Sequence, residues 1–233
     1  MDRNIKTRII SLSAALLLII PAFALADPLV VGGFSALSAG DPLPEGWEPM
    51  TFDDIESHTR YTVVEDEGAG AIRADSRASA AGLIRKISID PAAYPVIQWR
   101  WKAANVLDAG DVRKKSGDDY PARIYITFAY DPDRVGFFKK AKYGAVRLAY
   151  GEYPPLGAIS YIWASHAPVG TSVPNPYTEE VRMIVIRSGP KHLGTWVTER
   201  RNVFEDYRRA FGEDPPKISG VAIMTDTDNT GES

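Results

Sequence analysis

The chain has no cysteine, and its 233 residues include only three histidines and four methionines. The first absence removes disulfides, thiol nucleophiles and thiolate-held metals together. A chain without disulfides must be held by its core alone, and this length is enough to bury one. His58, His166 and His192 lack the spacing of a two-histidine zinc site. No Gly-x-Ser-x-Gly elbow, phosphate loop or dinucleotide fingerprint occurs. An excess of basic charge is missing too: 27 Lys and Arg stand against 30 Asp and Glu, a formal charge of −3. A nucleic-acid partner would need a concentrated basic face, so none is expected.

The one long apolar run lies at the N-terminus. Arg3, Lys6 and Arg8 precede an apolar stretch from Ile9 to Phe23, and Ala24-Leu25-Ala26 supplies the small-x-small pattern of a signal-peptidase site. The stretch is shorter than the roughly 20 residues that span a bilayer. Residues 1–26 therefore read as a signal peptide cleaved near Ala26. The expectation is a periplasmic or secreted domain over residues 27–233, with no transmembrane segment after processing.

Beyond it, short apolar or alternating runs recur between Gly, Pro, Asn and Asp. Strands are predicted at Leu29–Phe34, Arg60–Glu65, Ala71–Asp75, Gly82–Ile87, Val96–Lys102, Ala122–Tyr130, Ala158–Ala164, Val181–Arg187, Leu193–Val197 and Ile218–Met224. They are rich in the β-branched and aromatic residues that suit a pleated surface. Asn202, with Glu205 three residues on, starts a predicted helix that Gly212 and Pro215-Pro216 stop. A second helix is predicted between Arg134 and Tyr150. Phe138, Ala141, Ala145 and Leu148 form its apolar stripe, and Lys139, Lys140, Lys142 and Arg147 its basic face, with no acid from Arg134 to Gly151. Such a helix either docks its stripe and solvates its basic face, or seats on an anionic surface. The fold class that follows is all-β with minor α, a β-sandwich with one or two short helices.

Period-2 alternation sorts side chains into faces. It places Arg100 and Lys102 opposite Trp99 and Trp101, and Arg123 and Tyr125 opposite Ile124 and Ile126. Tyr161 and Trp163 share one face, and Arg182 opposes Val181 and Met183. If these strands are neighbours, Arg100, Lys102, Arg123, Tyr125, Tyr161, Trp163 and Arg182 gather on one polar, aromatic surface. Rings stack on sugar C–H faces and guanidinium forks bind carboxylates, which suits a carbohydrate, above all an anionic glycan. The alternative is an ordinary solvated sheet face.

Asp118 and Asp119, ahead of the strongest strand, are read as loop ligands or as turn formers. Asp226-Thr227-Asp228-Asn229-Thr230-Gly231 echoes the start of a calcium loop, so Asp226 and Asp228 are candidate Ca2+ ligands, with a tight turn as the alternative.

Four segments, Leu43–Pro49, Gly117–Arg123, Val173–Thr178 and Met224–Glu232, together resemble a bacterial exported family, domain-of-unknown-function family 3047. The resemblance implies a jelly-roll sandwich similar to galactose-binding modules and assigns no reaction. It also implies a further aromatic strand after Thr230-Gly231-Glu232, short of which this chain ends at Ser233. The first functional expectation is a non-catalytic domain binding a carbohydrate or another polar envelope ligand. Its rivals are a structural or assembly protein with an envelope partner, and a glycan-acting lyase or hydrolase.

Overall fold

The computed structural model describes residues 27–151 and 153–233; the expected signal peptide lies outside them. The elements are β1 (Trp47–Met50), β2 (Arg60–Asp66), β3 (Ala69–Asp75), β4 (Ala80–Ile89), β5 (Val96–Trp101), β6 (Tyr120–Phe128), α1 (Phe137–Tyr150), β7 (Gly157–Ala164), β8 (Ser172–Asn175), β9 (Thr178–Ser188), β10 (Val197–Asn202), α2 (Val203–Phe211) and β11 (Ile218–Asp226). Seven strands form one sheet in the order β1-β4-β11-β6-β7-β9-β8, while β5 pairs with β10 and β2 with β3. Neighbours run antiparallel except β7 and β9, which are parallel.

One face of the large sheet is greasy because alternation makes it so. Ile124, Ile126 and Phe128 of β6 share a core with Ile159, Tyr161 and Trp163 of β7, with Trp99 and Trp101 of β5, and with Val203 and Tyr207 of α2. Ring contacts tie the layers: Trp99 stacks on Tyr161 at 5.3 Å, Trp101 meets Trp163 at 5.9 Å, and Phe128 meets Tyr207 at 4.4 Å. The fold is an all-β sandwich with minor α. Its second layer is built from the two ribbons and α2.

Helix α2 starts where expected. The Asn202 side chain accepts from the Glu205 N–H at 3.0 Å, and Gly212 ends the helix in the left-handed region at φ 79°. Other expectations move. Leu29–Phe34 is not a strand: Gly33 turns at φ 66° into a 3-10 turn, and the Val31 carbonyl accepts from Trp47 Nε1 at 3.1 Å. Strands β1 and β8 escaped prediction because each is short and holds a proline, Pro49 and Pro174, a residue confined to sheet edges; these are the two edges. The strand expected at Leu193–Val197 runs instead through polar Thr198–Asn202, paired with β5. Its inward Glu199 accepts from Trp101 Nε1 and Arg187 Nε. The last strand, β11, lies mid-sheet between β4 and β6.

Helix α1 forms, with the opposite orientation to a docked apolar stripe. Tyr143 faces inward, donating to the Pro155 carbonyl at 3.2 Å, and Lys139 pairs with Glu180 at 3.3 Å. Phe137, Phe138 and Leu148 are 79%, 88% and 90% exposed.

Candidate ligand-binding cleft

The second face of the large sheet carries the other half of each alternation. Arg123, Tyr125 and Thr127 of β6, Ala158 of β7, Ala222 and Met224 of β11 and Ile84 of β4 line a cleft of about 750 Å³. Met50, Phe52 and Ile55 wall one side of it, and the Asn175–Val181 segment another. Next to the cleft the loop before β6 folds over the same face, burying Val112 and Tyr120 against Ile162, Met183 and Val185. That packing carries Asp118 and Asp119 to the cleft's polar end.

Arg123 organises this end. Its Nε donates to Asp226 Oδ1 at 3.0 Å, Nη1 to the Tyr125 hydroxyl at 3.0 Å and Nη2 to the Asp118 carbonyl at 3.0 Å. Nη2 also forms an ion pair with Asp226 Oδ2. Arg123 and Asp226 are 4% and 2% exposed. Burial works against the guanidinium charge, but Tyr125, Asp118, Tyr120 and Asp119 outweigh it and hold the pKa above the ordinary arginine value.

Each neighbouring acid has its own task. Asp119 accepts from Asn229 N, Asn229 Nδ2 and Thr230 N, which pins the C-terminal loop to the sheet. Asp118 Oδ2 accepts from Asn175 Nδ2 at 2.7 Å. Its Oδ1 is buried with no hydrogen-bond donor, the nearest cation being Arg123 Nη1 at 3.7 Å. Asp228 is half-buried; desolvation and then the nearby Asp119 push its pKa above the usual carboxylate value. Tyr177 closes the end, donating to Asn229 Oδ1 at 2.5 Å. Burial and then Asp118, Asp228 and Asp119 push its phenol up.

Carboxylate oxygens of Asp119, Asp226 and Asp228 lie within 4.8 Å of one another. A Ca2+ held by Asp226 and Asp228 would share these acids with the partners they already have. Asp226 is committed to Arg123 and to the Tyr120 N–H, and Asp119 to three N–H donors. A divalent ion there would meet the buried guanidinium that already balances the acids.

Three distant segments thus meet at one point: Gly117–Arg123, Val173–Thr178 and Met224–Glu232. A model of the family described as protein of unknown function DUF3047 matches residues 45–233. The chain belongs to this family. No curated protein matches it.

Within this DUF3047 domain the expected surface divides. Arg123, Tyr125 and Asp118 line the cleft, and Asp119 braces it. Tyr161 and Trp163 do not: strand register sets Tyr125 opposite Ser160 and Arg123 opposite Ile162, so both rings point into the core and are fully buried. The Tyr161 hydroxyl donates to Asp206 and Trp163 Nε1 to the Gly189 carbonyl. Arg182 lies on the core-facing side too, reaching the Ala210 carbonyl of α2 at 3.4 Å. Arg100 and Lys102 belong to the β5–β10 ribbon. Arg100 sits over Trp196 at 5.0 Å, and Lys102 pairs with Asp66 at 2.6 Å. Sequence reasoning did not single out Asn175, Tyr177, Asn229, Met50, Phe52 or Ile55 as site residues. The first three lie inside motifs that carried the family resemblance, which was the signal available.

Proposed function

We propose that this domain is an exported, non-catalytic binder of a carbohydrate with neutral or amino-bearing sugars, held in the cleft on the open face of the large sheet. The observation that carries the reading is an apolar-floored cleft with the accessible polar groups of Asn175, Tyr177, Asp228 and Asn229 gathered at one end. Ligand hydroxyls or an ammonium can pair with these groups. Planar polar groups on Asp118, Asn175, Asp228 and Asn229 suit vicinal hydroxyls, and the Tyr125 and Tyr177 rings offer surfaces for sugar C–H faces. Charge selects within the class. The lining holds the carboxylates of Asp54, Asp118, Glu180, Asp226 and Asp228 against the single guanidinium of Arg123. An anionic glycan would meet net repulsion there.

The test is an array of neutral, amino and acidic oligosaccharides probed with the chain from Asp27 onward, followed by titration calorimetry on any hit. Neutral or amino sugars should bind, and Asp118→Ala and Tyr125→Ala should each weaken binding about tenfold, the equivalent of about 1.4 kcal/mol. Binding of acidic glycans alone, or unchanged affinity in both variants, would defeat the proposal.

A glycan-acting hydrolase or lyase is the second reading. It is favoured by Asp228, whose raised pKa suits proton donation beside the Asp118 carboxylate in the same cleft. Product release from a bound oligosaccharide, abolished by Asp228→Asn, would select it over simple binding.

A further inference from the structure

We propose that helix α1 is a membrane-surface anchor that lays its exposed apolar stripe into an anionic lipid bilayer. At about 100° per residue, Phe137, Ala141 and Leu148 fall on one line, with Ala145 and Phe138 beside it. All five are exposed, whereas Tyr143 on the reverse side is buried against the body of the domain. A helix resting on a soluble protein turns its apolar side inward. This one does the reverse, and three large apolar side chains along one exposed stripe mark an interaction surface.

Charge identifies the occupant. Lys140 and Lys142 flank the stripe on its two sides, both exposed and without an ion-pair partner among the described residues. Arg147 lies exposed on the same helix, its guanidinium 4.8 Å from the Tyr153 ring. The segment from Arg134 to Gly151 contains no acid, and among the described residues the acid that pairs with the helix, Glu180, is taken by the inward Lys139. Apolar side chains between snorkelling lysines match the boundary between acyl chains and anionic headgroups. A second copy fits worse: stripe against stripe would crowd lysines with no carboxylate on the helix to pair them. Among the described residues no helix is long and apolar enough to cross a membrane, so α1 would lie on the surface.

Co-sedimentation of the chain from Asp27 onward, which contains every described element, with lipid vesicles tests the proposal. The chain should sediment with phosphatidylethanolamine–phosphatidylglycerol vesicles and not with phosphatidylcholine vesicles. A Phe137→Ser, Phe138→Ser, Leu148→Ser variant should lower partitioning at least about tenfold, and Lys140→Glu, Lys142→Glu should erase the preference for the anionic lipid. All five side chains are solvent-facing, so thermal melting should match the wild type. Equal binding to both vesicle types, no binding to either, or undiminished binding by the serine variant would each overturn the proposal. So would a concentration-dependent dimer that the serine variant dissolves, which would assign the stripe to a second copy.

Discussion

Replacing Arg123 by methionine should destabilise the domain far more than an ordinary substitution. Methionine keeps an apolar stem of similar reach and removes the charge. Asp226 is then left as a carboxylate only 2% exposed, keeping the Tyr120 N–H but no cation. Breaking a buried ion pair from one side costs about 3–5 kcal/mol. The Asp118 carbonyl loses its donor as well, which raises the cost toward the upper part of that range. Against a total stability of about 5–15 kcal/mol this is a large share. For a domain of this size it corresponds to a fall in melting temperature of about 10–15 °C. The assay is urea unfolding followed by tryptophan fluorescence, since Trp47, Trp99, Trp101 and Trp163 all pack in or against the main core. Adding Asp226→Asn should restore about half the loss, because the amide oxygen can still accept from Tyr120 without leaving a charge unpaired. The sign with pH is equally definite. Without its cation, the buried Asp226 is disfavoured as a carboxylate in the folded state, so its own contribution to stability is greatest at low pH and is lost as pH rises through its folded pKa. The single variant's deficit should therefore shrink on acidification. A loss under about 1 kcal/mol in Arg123→Met, or a double variant no better than the single, would refute the reasoning.

Two further outcomes follow from the same geometry. Trp163→Ala should cost about 3–5 kcal/mol in urea unfolding, as for any large core truncation, whereas a surface ligand contact would lose affinity with stability intact. Asp228→Asn should raise the melting temperature at neutral pH, because a raised folded pKa means that the charged form opposes folding. The advantage should disappear below the ordinary aspartate pKa of 3.8, where Asp228 is protonated in both states. A gain that persisted there, measured by paired melts, would remove desolvation as its cause.

The membrane and sugar proposals rest on separate parts of the molecule. The first uses the outer stripe of α1, the second the cleft floor and its acidic end. Failure of vesicle binding leaves the glycan array informative, and an empty array leaves the lipid result standing.

Within single strands the chain was legible. Alternation placed Arg123, Tyr125 and Thr127 opposite Ile124, Ile126 and Phe128, and the structure keeps that division between cleft and core. Trp99 and Arg100 stand on opposite sides of β5 for the same reason. The start of α2 was legible too, because Asn202 and Glu205 act across one turn and need no distant partner. Local backbone geometry fixes all of these, and local geometry is written in adjacent residues.

Which faces lie together was decided elsewhere. The β6–β7 register turned Tyr161 and Trp163 away from Tyr125, and pairing with β10 took Arg100 and Lys102 out of the large sheet. The orientation of α1 likewise came from the contacts of Tyr143 and Lys139, since its own pattern fitted either side. The sequence by itself determined the all-β class, the two-faced strands and the capped helix, each through interactions a few residues apart. Only the tertiary structure decided strand order, the burial of Arg123 among four acids and the cleft itself. These depend on hydrogen bonds and ion pairs closing over a hundred residues of chain, as between Arg123 and Asp226, and no local pattern encodes that closure.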